Sequence, residues 1–583
     1  MEREMSFRTE MGFYYYFYKT LINSPDFYTG LNLIMKNNVI EYPDTINALE
    51  RFNIYPEVLI STAYKAYIAV TNYFGIKNKE CWFINRGDLP PIESCEGLGD
   101  AAYFYVNVVW IFSGVTCTRV QWTPPLRESF GYPAFLMQMF LVSKILQNNV
   151  TTYKYIQMSL ITSIFIIFWQ FAPFALTTQL LSIFGLYLIL AVDAETMKKY
   201  LFSLAVGVFI SFILLFHNQM LMTSTLIAAI PAAYVVVCLE DVIKRLKYYL
   251  LILMVQIILF IAIAVITIKS LSFGNQDAHI WNLLRAKFTN YSDFHTSLYI
   301  CAPEFDFLQI QSIWDLTTTL LLPSAIFTAV VVIGLIIHRE YWRKQILHKP
   351  RHSNCEDCEI LYNIVQLCAF AVMAVLIMRL KLFLTPHLCI LSSLLTYKKF
   401  FHFDRFKKVY LAIMIGFMAL MSVQGIRNIK SELEIVGEYS NPSMEDLFLW
   451  INKNTHPKAS FAGPMSVMAN LMLSTNRPVV NHPHYEDYKL RERTKQIYTM
   501  FSRKPLDQVH KTLRSLKVKY AILDYQWCYR GSRSGCSMLD VWDREDVNRI
   551  GHVPVCDQIR TNPGSFNIVF KNDMYVVIEI TKE

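Results

Sequence analysis

Apolar runs long enough to cross a bilayer, separated by short basic loops, constrain this chain more than any single motif. Ten spans are predicted near residues 130–147, 155–173, 177–192, 200–217, 219–240, 248–268, 314–337, 360–378, 381–397 and 409–426. A hydrocarbon core of about 30 Å asks for roughly 20 apolar residues in a helix. With no water to satisfy the backbone, a helix is the form such a run takes. Only 17% of the 583 residues are charged, against about 25% in soluble domains. The fold class expected is a polytopic α-helical membrane protein.

The formal charge of +9 is not a nucleic-acid signature, because the basic residues gather in loops. They cluster at Lys198-Lys199, at Lys244-Arg245 with Lys247, from Arg339 through Arg351, and from Lys398-Lys399 through Lys408. An even number of spans separates these clusters, which places them all on the cytoplasmic side. The same count puts 118–129, 270–313, the Arg379–Lys381 turn and everything after about 427 on the far side. Asn290-Tyr291-Ser292 lies there, where an N-glycan acceptor must be, and Asn290 is the expected glycosylation site. Asn149-Val150-Thr151 counts as cytoplasmic, a chance match. Residues 1–10 are polar and charged, so no cleavable signal peptide is expected.

Five segments follow. Residues 1–100 form a polar-aromatic region with helix-like stretches at about 3–23 and 44–74, and 101–117 is a short apolar segment. A Pro-broken loop occupies 118–129, the spans fill 130–426, and 427–583 reads as a soluble α/β domain. The β-branched runs Lys519–Leu523, Asn567–Phe570 and Tyr575–Ile580 are its predicted strands. Spacing pairs Cys528 with Cys536 in a compartment that permits disulfides. Cys355-Glu356-Asp357-Cys358 has no second Cys pair nearby, and His482-Pro483-His484 reads as a rigid loop. Neither a metal nor a cofactor is expected.

The chemistry is expected to centre on Phe7 to Lys19. Read as a helix, Phe7, Glu10, Tyr14, Phe17 and Leu21 share one face, which sets a carboxylate in an aromatic stripe. Desolvation would raise its pKa and make Glu10 a candidate general base. The structural alternative is a carboxylate tied to an Arg or a Tyr hydroxyl. Arg119, Arg127, Glu128, Arg379, Lys381 and His387 all map to the far face or close to it. Cations facing a carboxylate at a membrane boundary suit a lipid-linked phosphate donor. The plainer reading of Arg379 and Lys381 is interfacial snorkelling, although positive charge is disfavoured on that side. His387 lies inside a span, where an ionisable group is costly and is read as functional by default.

Several stretches together resemble the dumpy-19-like family. They are Arg8-Thr9-Glu10-Met11-Gly12, Arg51-Phe52-Asn53-Ile54-Tyr55-Pro56-Glu57, Ile92-Glu93-Ser94-Cys95-Glu96-Gly97-Leu98-Gly99-Asp100, Trp122-Thr123-Pro124-Pro125-Leu126-Arg127-Glu128-Ser129, Arg379-Leu380-Lys381 through His387, and Asn481-His482-Pro483-His484-Tyr485-Glu486. The resemblance implies a GT-C type membrane fold related to oligosaccharyltransferase catalytic subunits, and residence in the endoplasmic reticulum. It implies transfer of mannose from dolichyl-phosphate-mannose to tryptophan C2 in Trp-x-x-Trp sequences of secretory proteins. Glu10 then matches the acidic residue that serves the acceptor indole, with the aromatic stripe as its flat walls. Luminal basic residues bind the donor phosphate; Arg119, Arg127, Arg379 and Lys381 are the candidates, with Trp122, Glu128 and His387 in support.

Against the family pattern the chain is shortened. It opens almost at the Arg-Thr-Glu stretch, without the first membrane helix. One apolar segment, Ala101 to Cys117, stands where the family has two spans. The segment is therefore expected to be re-entrant, to lie in the interface, or to leave the first hundred residues in the cytosol. In that last case the alternative function follows, a catalytically inactive membrane protein of the same fold.

Overall fold

The computed structural model describes residues 2–87, 89–116, 126–147, 151–271, 278–289, 291–347, 355–401, 407–436 and 439–581. Each predicted span coincides with a helix: Arg127–Ile145, Thr152–Phe168, Ala172–Leu188, Ala194–Leu214, Thr225–Cys238, Tyr249–Leu271, Leu321–Leu347, Cys358–Leu376, Lys381–Ser393 and Lys407–Leu433. Among the described residues, seven helical stretches are long and apolar enough to cross a membrane. The Tyr249–Leu271 and Lys407–Leu433 helices are the least covered by protein. They are apolar all round, as lipid-facing helices must be.

Between apolar helices in lipid, close approach and hydrogen bonds hold the bundle, because burial from water is no longer the driving force. A Cβ on Gly207 would lie 2.7 Å from the Ser159 carbonyl oxygen, so glycine is what lets Ala194–Leu214 rest on Thr152–Phe168. Ser159 and Ser203 then meet at 2.9 Å, and Ser211 donates to Ser163 at 3.2 Å. Deeper in, Gln179 Nε2 donates to Gln138 and to the Tyr362 hydroxyl at 2.7 and 2.8 Å.

The C-terminal domain carries a four-stranded sheet in the order Phe461–Ala462, Tyr520–Asp524, Tyr575–Ile580, Phe566–Lys571. The first pair is parallel and the others antiparallel. Three strands fall on the β-branched runs; the short Phe461–Ala462 edge carried no such signal.

The helix Glu10–Asn23 is not the amphipathic element the spacing suggested. Met11 through Tyr18 and Leu21 are all buried, so every face is covered. Phe7 is not on it: a separate helix, Glu2–Ser6, precedes it. The Glu10–Asn23 helix shares one apolar core with Tyr55–Tyr73 and with Leu447, Ile451, Met468 and Val577 of the C-terminal domain. Asn470 Nδ2 donates to the Met5 carbonyl at 2.9 Å and Lys19 Nζ to that of Leu473 at 3.1 Å. Backbone bonds join Val479 to Val39 and Tyr42 to Val479. The first hundred residues and the C-terminal domain form one packed unit.

Among the described residues, three disulfides brace this unit. Cys81–Cys95 closes the antiparallel hairpin Glu80–Arg86/Leu89–Glu96. Cys301–Cys536 ties the loop before Leu321 to the C-terminal domain. Cys528–Cys556 lies within that domain. The expected Cys528–Cys536 pair is therefore replaced, since partners distant in sequence meet in the fold. Cys238, Cys355, Cys358, Cys368 and Cys389, in or beside the spans, form no disulfide among the described residues. Ala101–Thr116 packs between the Tyr55–Tyr73 and Arg127–Ile145 helices and exposes Tyr103, Trp110, Ile111 and Phe112 on its other side. At 16 residues it is about 24 Å long.

Non-reducing peptide mapping is expected to return Cys81–Cys95, Cys301–Cys536 and Cys528–Cys556 linkages. A Cys528–Cys536 peptide would contradict this connectivity. Gly12→Ala is expected to lower the melting temperature, because its Cβ would sit 2.6 Å from the Phe7 carbonyl oxygen; such overpacking costs about 1–3 kcal/mol.

Candidate active site

Glu10 is the first residue of its helix, preceded by Thr9 at φ 51°, ψ −123°. A β-branched residue is strained in that region, and such strain persists where the surroundings enforce it. Here the tight approach of Gly12 to Phe7 and Asn470 enforces it. The turn sets the Glu10 carboxylate at the positive end of the helix, which favours its anionic form.

Among the described residues, no hydrogen bond or ion pair engages that carboxylate. Enclosure by protein is the main influence pushing its pKa up. Arg379 pulls it down, Glu128 and Glu304 push it up, and Arg127 pulls it down again. Glu10, Arg379, Glu128, Glu304 and Arg127 are thus gathered around one point from segments far apart in sequence.

The basic residues are held in different ways. Arg379 donates to Glu128 at 2.9 Å, lies 3.9 Å from Glu304, and remains partly exposed. The backbone bonds Met378 N to Asp306 O and Leu308 N to Val375 O bring Glu304 to this turn. Arg127 is buried, ion-paired with Glu57 at 2.7 Å, and lies 3.5 Å from the centre of the Tyr14 ring. Among the described residues, its Nε and Nη1 have no hydrogen-bond partner. Tyr105 donates to the same Glu57 at 2.9 Å. Lys381 is exposed. His387 is buried in the bundle, its Nδ1 3.0 Å from the Phe383 carbonyl oxygen and its ring against Phe370; the fold does not bring it to the charge cluster. Arg119, Trp122 and Asn290 lie outside the described residues.

The His-Pro-His loop is structural. His482 stacks on Phe13 and lies 3.2 Å from Glu41, and His484 also faces Phe13. Burial pushes Glu41 up, but the His482 hydrogen bond and the charges of Arg51 and Arg493 hold it below the usual carboxylate range. Two residues after His484 stands Glu486, for which the sequence alone carried no functional signal. Burial, then the charge of Glu10, push its pKa up to about 7, against Arg379 and Arg491.

Two cavities flank the cluster. One, ≈ 330 Å³, is lined by Phe7, Met11, Tyr103 and Trp110 among others. The other, ≈ 310 Å³, lies among the helices under Phe171, Phe174 and Leu215 and reaches Glu486. Phe7 and the Ala101–Thr116 helix supply the aromatic walls of the first cavity, whereas Tyr14 and Phe17 are buried in the core.

Comparison with known proteins fits this arrangement. Residues 1–118 and 115–580 match the Dpy19 family, described as Q-cell neuroblast polarisation. The chain belongs to the Dpy19 family. It is 40% identical to protein C-mannosyl-transferase DPY19L1 of Mus musculus, over all of this chain and 83% of that protein. Against the Homo sapiens counterpart the identity is also 40%, over 92% of its length. The C-mannosyltransferase dpy-19 of Caenorhabditis elegans is 38% identical over 99% of this chain and 91% of its own. By that membership the chain is a glycosyltransferase. Its fold is similar to that of the Archaeoglobus fulgidus oligosaccharyltransferase in the apo form, with a TM-score of 0.50 at 13% identity over 88% of this chain and 65% of that one. The GT-C fold and multi-pass membrane character follow.

Glu57→Ala is expected to lower stability by about 3–5 kcal/mol, the cost of leaving a buried Arg127 charge uncompensated. Thermal unfolding in detergent checks this, and an unchanged Tm would show that the pair does not hold Tyr14 and the helix in place.

Proposed function

We propose that this chain transfers mannose from dolichyl-phosphate-mannose to C2 of a tryptophan in Trp-x-x-Trp sequences of secretory proteins, in the endoplasmic reticulum. The observation that carries the reading is the unengaged Glu10 carboxylate set beside Arg379, in a chain whose relatives are named C-mannosyltransferases. The indole C2 attacks the mannose anomeric carbon, and the bond from that carbon to the phosphate oxygen breaks. Its electron pair stays on dolichyl phosphate, and the C2 proton passes to Glu10.

Arg379 and the exposed Lys381 meet the leaving phosphate, with the spare donors of Arg127 below; Arg119 is a further candidate. The cavity of Phe7, Tyr103 and Trp110 offers flat apolar walls to the indole. The ≈ 310 Å³ cavity among the helices suits the first isoprene units of the lipid donor. The three disulfides, one of them at Cys81–Cys95, support an oxidising compartment for both the first hundred residues and the C-terminal domain.

Glu10→Gln is expected to lower mannosylation of a Trp-x-x-Trp peptide by about 10²–10⁴-fold without changing Tm, read by mass spectrometry. Activity at the wild-type level in Glu10→Gln would refute the assignment. A base works only when ionised, so wild-type activity is expected to fall as pH drops through the raised Glu10 pKa. That limb should lie above the usual carboxylate value of about 4.3. Arg379→Gln removes the cation that lowers this pKa, and is expected to move the limb to higher pH and raise the donor KM.

A further inference from the structure

In the proposed donor the anomeric carbon of the sugar is bonded to a phosphate oxygen. The mannosyl group must therefore lie directly beside the cations that hold the phosphate. Packed side chains place the ≈ 310 Å³ cavity there from two sides. On the bundle side Phe171, in its lining, packs on Phe383 with ring centres 5.9 Å apart, two residues after Lys381. Trp169 stacks on the same Phe383 at 5.6 Å and covers Gly131, where a Cβ would lie 2.6 Å from it. Gly131 comes three residues after Glu128, which accepts from Arg379 at 2.9 Å. On the side of the C-terminal domain Glu486 lines the cavity. Its neighbour Tyr485 accepts from the Tyr299 hydroxyl at 3.5 Å, and the Tyr299 ring meets Phe305 at 5.1 Å. Phe305 follows Glu304, which lies 3.9 Å from Arg379.

The lining is chemically divided. Ile166, Leu215 and Leu221 suit an isoprene chain, whereas Asn53, Gln170 and Glu486 do not. Glu486 is exposed to the cavity, and its carboxylate makes no hydrogen bond or ion pair among the described residues. The Asn53 amide donates to the Ile166 carbonyl at 2.7 Å, and the Gln170 amide to the Met220 sulfur at 3.0 Å. The amide oxygens of both accept nothing among the described residues, so each remains an acceptor. No Lys or Arg is among the described residues of the lining. Acceptors without a cation disfavour a phosphate, and a hydrocarbon cannot satisfy them. A polyol supplies the hydroxyl donors they need. Phe171 and Phe174, with ring centres 4.8 Å apart, offer flat faces to the C–H bonds of a pyranose. The carboxylate is carried on a fixed backbone: Arg491 Nη1 donates to the Glu486 carbonyl at 2.5 Å.

We propose that the polar end of this cavity receives the mannosyl group of the donor, and that Glu486 sets sugar specificity by accepting a hydrogen bond from a sugar hydroxyl. The amide oxygens of Asn53 and Gln170 are further acceptors. This rests on the reading of dolichyl-phosphate-mannose as the donor. The phosphate then stands at Arg379 and Lys381, the pyranose at the polar end, and the first isoprene units along the apolar wall. Glu486 makes and breaks no covalent bond. It orients the sugar, and a hexose whose hydroxyl points elsewhere leaves the carboxylate unpaired, which is how a hydrogen-bonding site rejects a close analogue.

The test measures transfer to a Trp-x-x-Trp peptide by the full-length wild type, Glu486→Ala and Glu486→Gln. The donors are dolichyl-phosphate-mannose and its 2-, 3-, 4- and 6-deoxy forms. Both variants are expected to keep the wild-type Tm, because the Glu486 side chain holds nothing else among the described residues. Glu486→Ala should raise the donor KM at least about tenfold and leave the acceptor KM unchanged. Glu486→Gln keeps an acceptor oxygen and should recover part of the loss. In the wild type, removing the hydroxyl that Glu486 holds should cost at least about tenfold in kcat/KM. Glu486→Ala should use that same deoxy donor about as well as the parent donor. An unmoved donor KM would overturn the proposal, as would deoxy penalties that are the same in wild type and Glu486→Ala. A wild-type chain that transfers no mannose from the dolichyl-phosphate donor would instead overturn the donor reading beneath it, a result the Glu486 variants do not mimic.

Discussion

The burial of one aromatic helix on every side is the constraint from which the rest of the structure follows. Glu10–Asn23 carries six tyrosine and phenylalanine rings in succession. A helix apolar on all faces must find cover on all faces. It does so between the Phe27–Met35 helix, the Tyr55–Tyr73 helix and the Met465–Thr475 helix of the C-terminal domain, with Tyr105 against Tyr15 and Tyr18. The Arg127 guanidinium on the Tyr14 ring and its ion pair with Glu57 seal the membrane-facing side. Once these contacts are made, the start of the helix is fixed in space, and with it Glu10.

That fixing is what turns a carboxylate into a candidate base. A surface glutamate at the same point would be hydrated and would titrate as an ordinary acid. Here it opens the helix after the Thr9 turn, within electrostatic reach of Arg379, and makes no ion pair among the described residues. The loop around Glu304 is held against the Arg379 turn by two backbone hydrogen bonds and stapled to the C-terminal domain by Cys301–Cys536. Glu486 arrives from that domain. Four segments that share no local sequence pattern thus meet through long-range packing and disulfides.

Much of this was legible in the sequence, for physical reasons. Runs such as 248–268 and 409–426 are apolar throughout, and in a bilayer that composition permits only a helix. Basic loops and β-branched strands are equally local signals. What sequence obscured depends on contacts between distant residues. The spacing of Phe7 and Glu10 suggested one helix face, but the close fit of Gly12 to Phe7 and Asn470 breaks the chain between them. Cys528 has a nearer partner in sequence, yet the fold brings Cys556 to it and gives Cys536 to Cys301. Glu486 belongs to the Asn481-to-Glu486 motif, but nothing in that motif says that the charge of Glu10, 476 positions away, acts on it.

Glu10 can meet the Arg379 turn only if the first hundred residues share a compartment with the C-terminal domain. Inserting N-glycosylation acceptor sequons at Lys77-Asn78, in the Lys244–Lys247 loop and after Arg530 tests this most directly. Modification at the first and third positions, with none at the second, is the predicted result. Modification after Arg530 with none at Lys77-Asn78 would place Glu10 on the opposite side from the C-terminal domain and contradict the account.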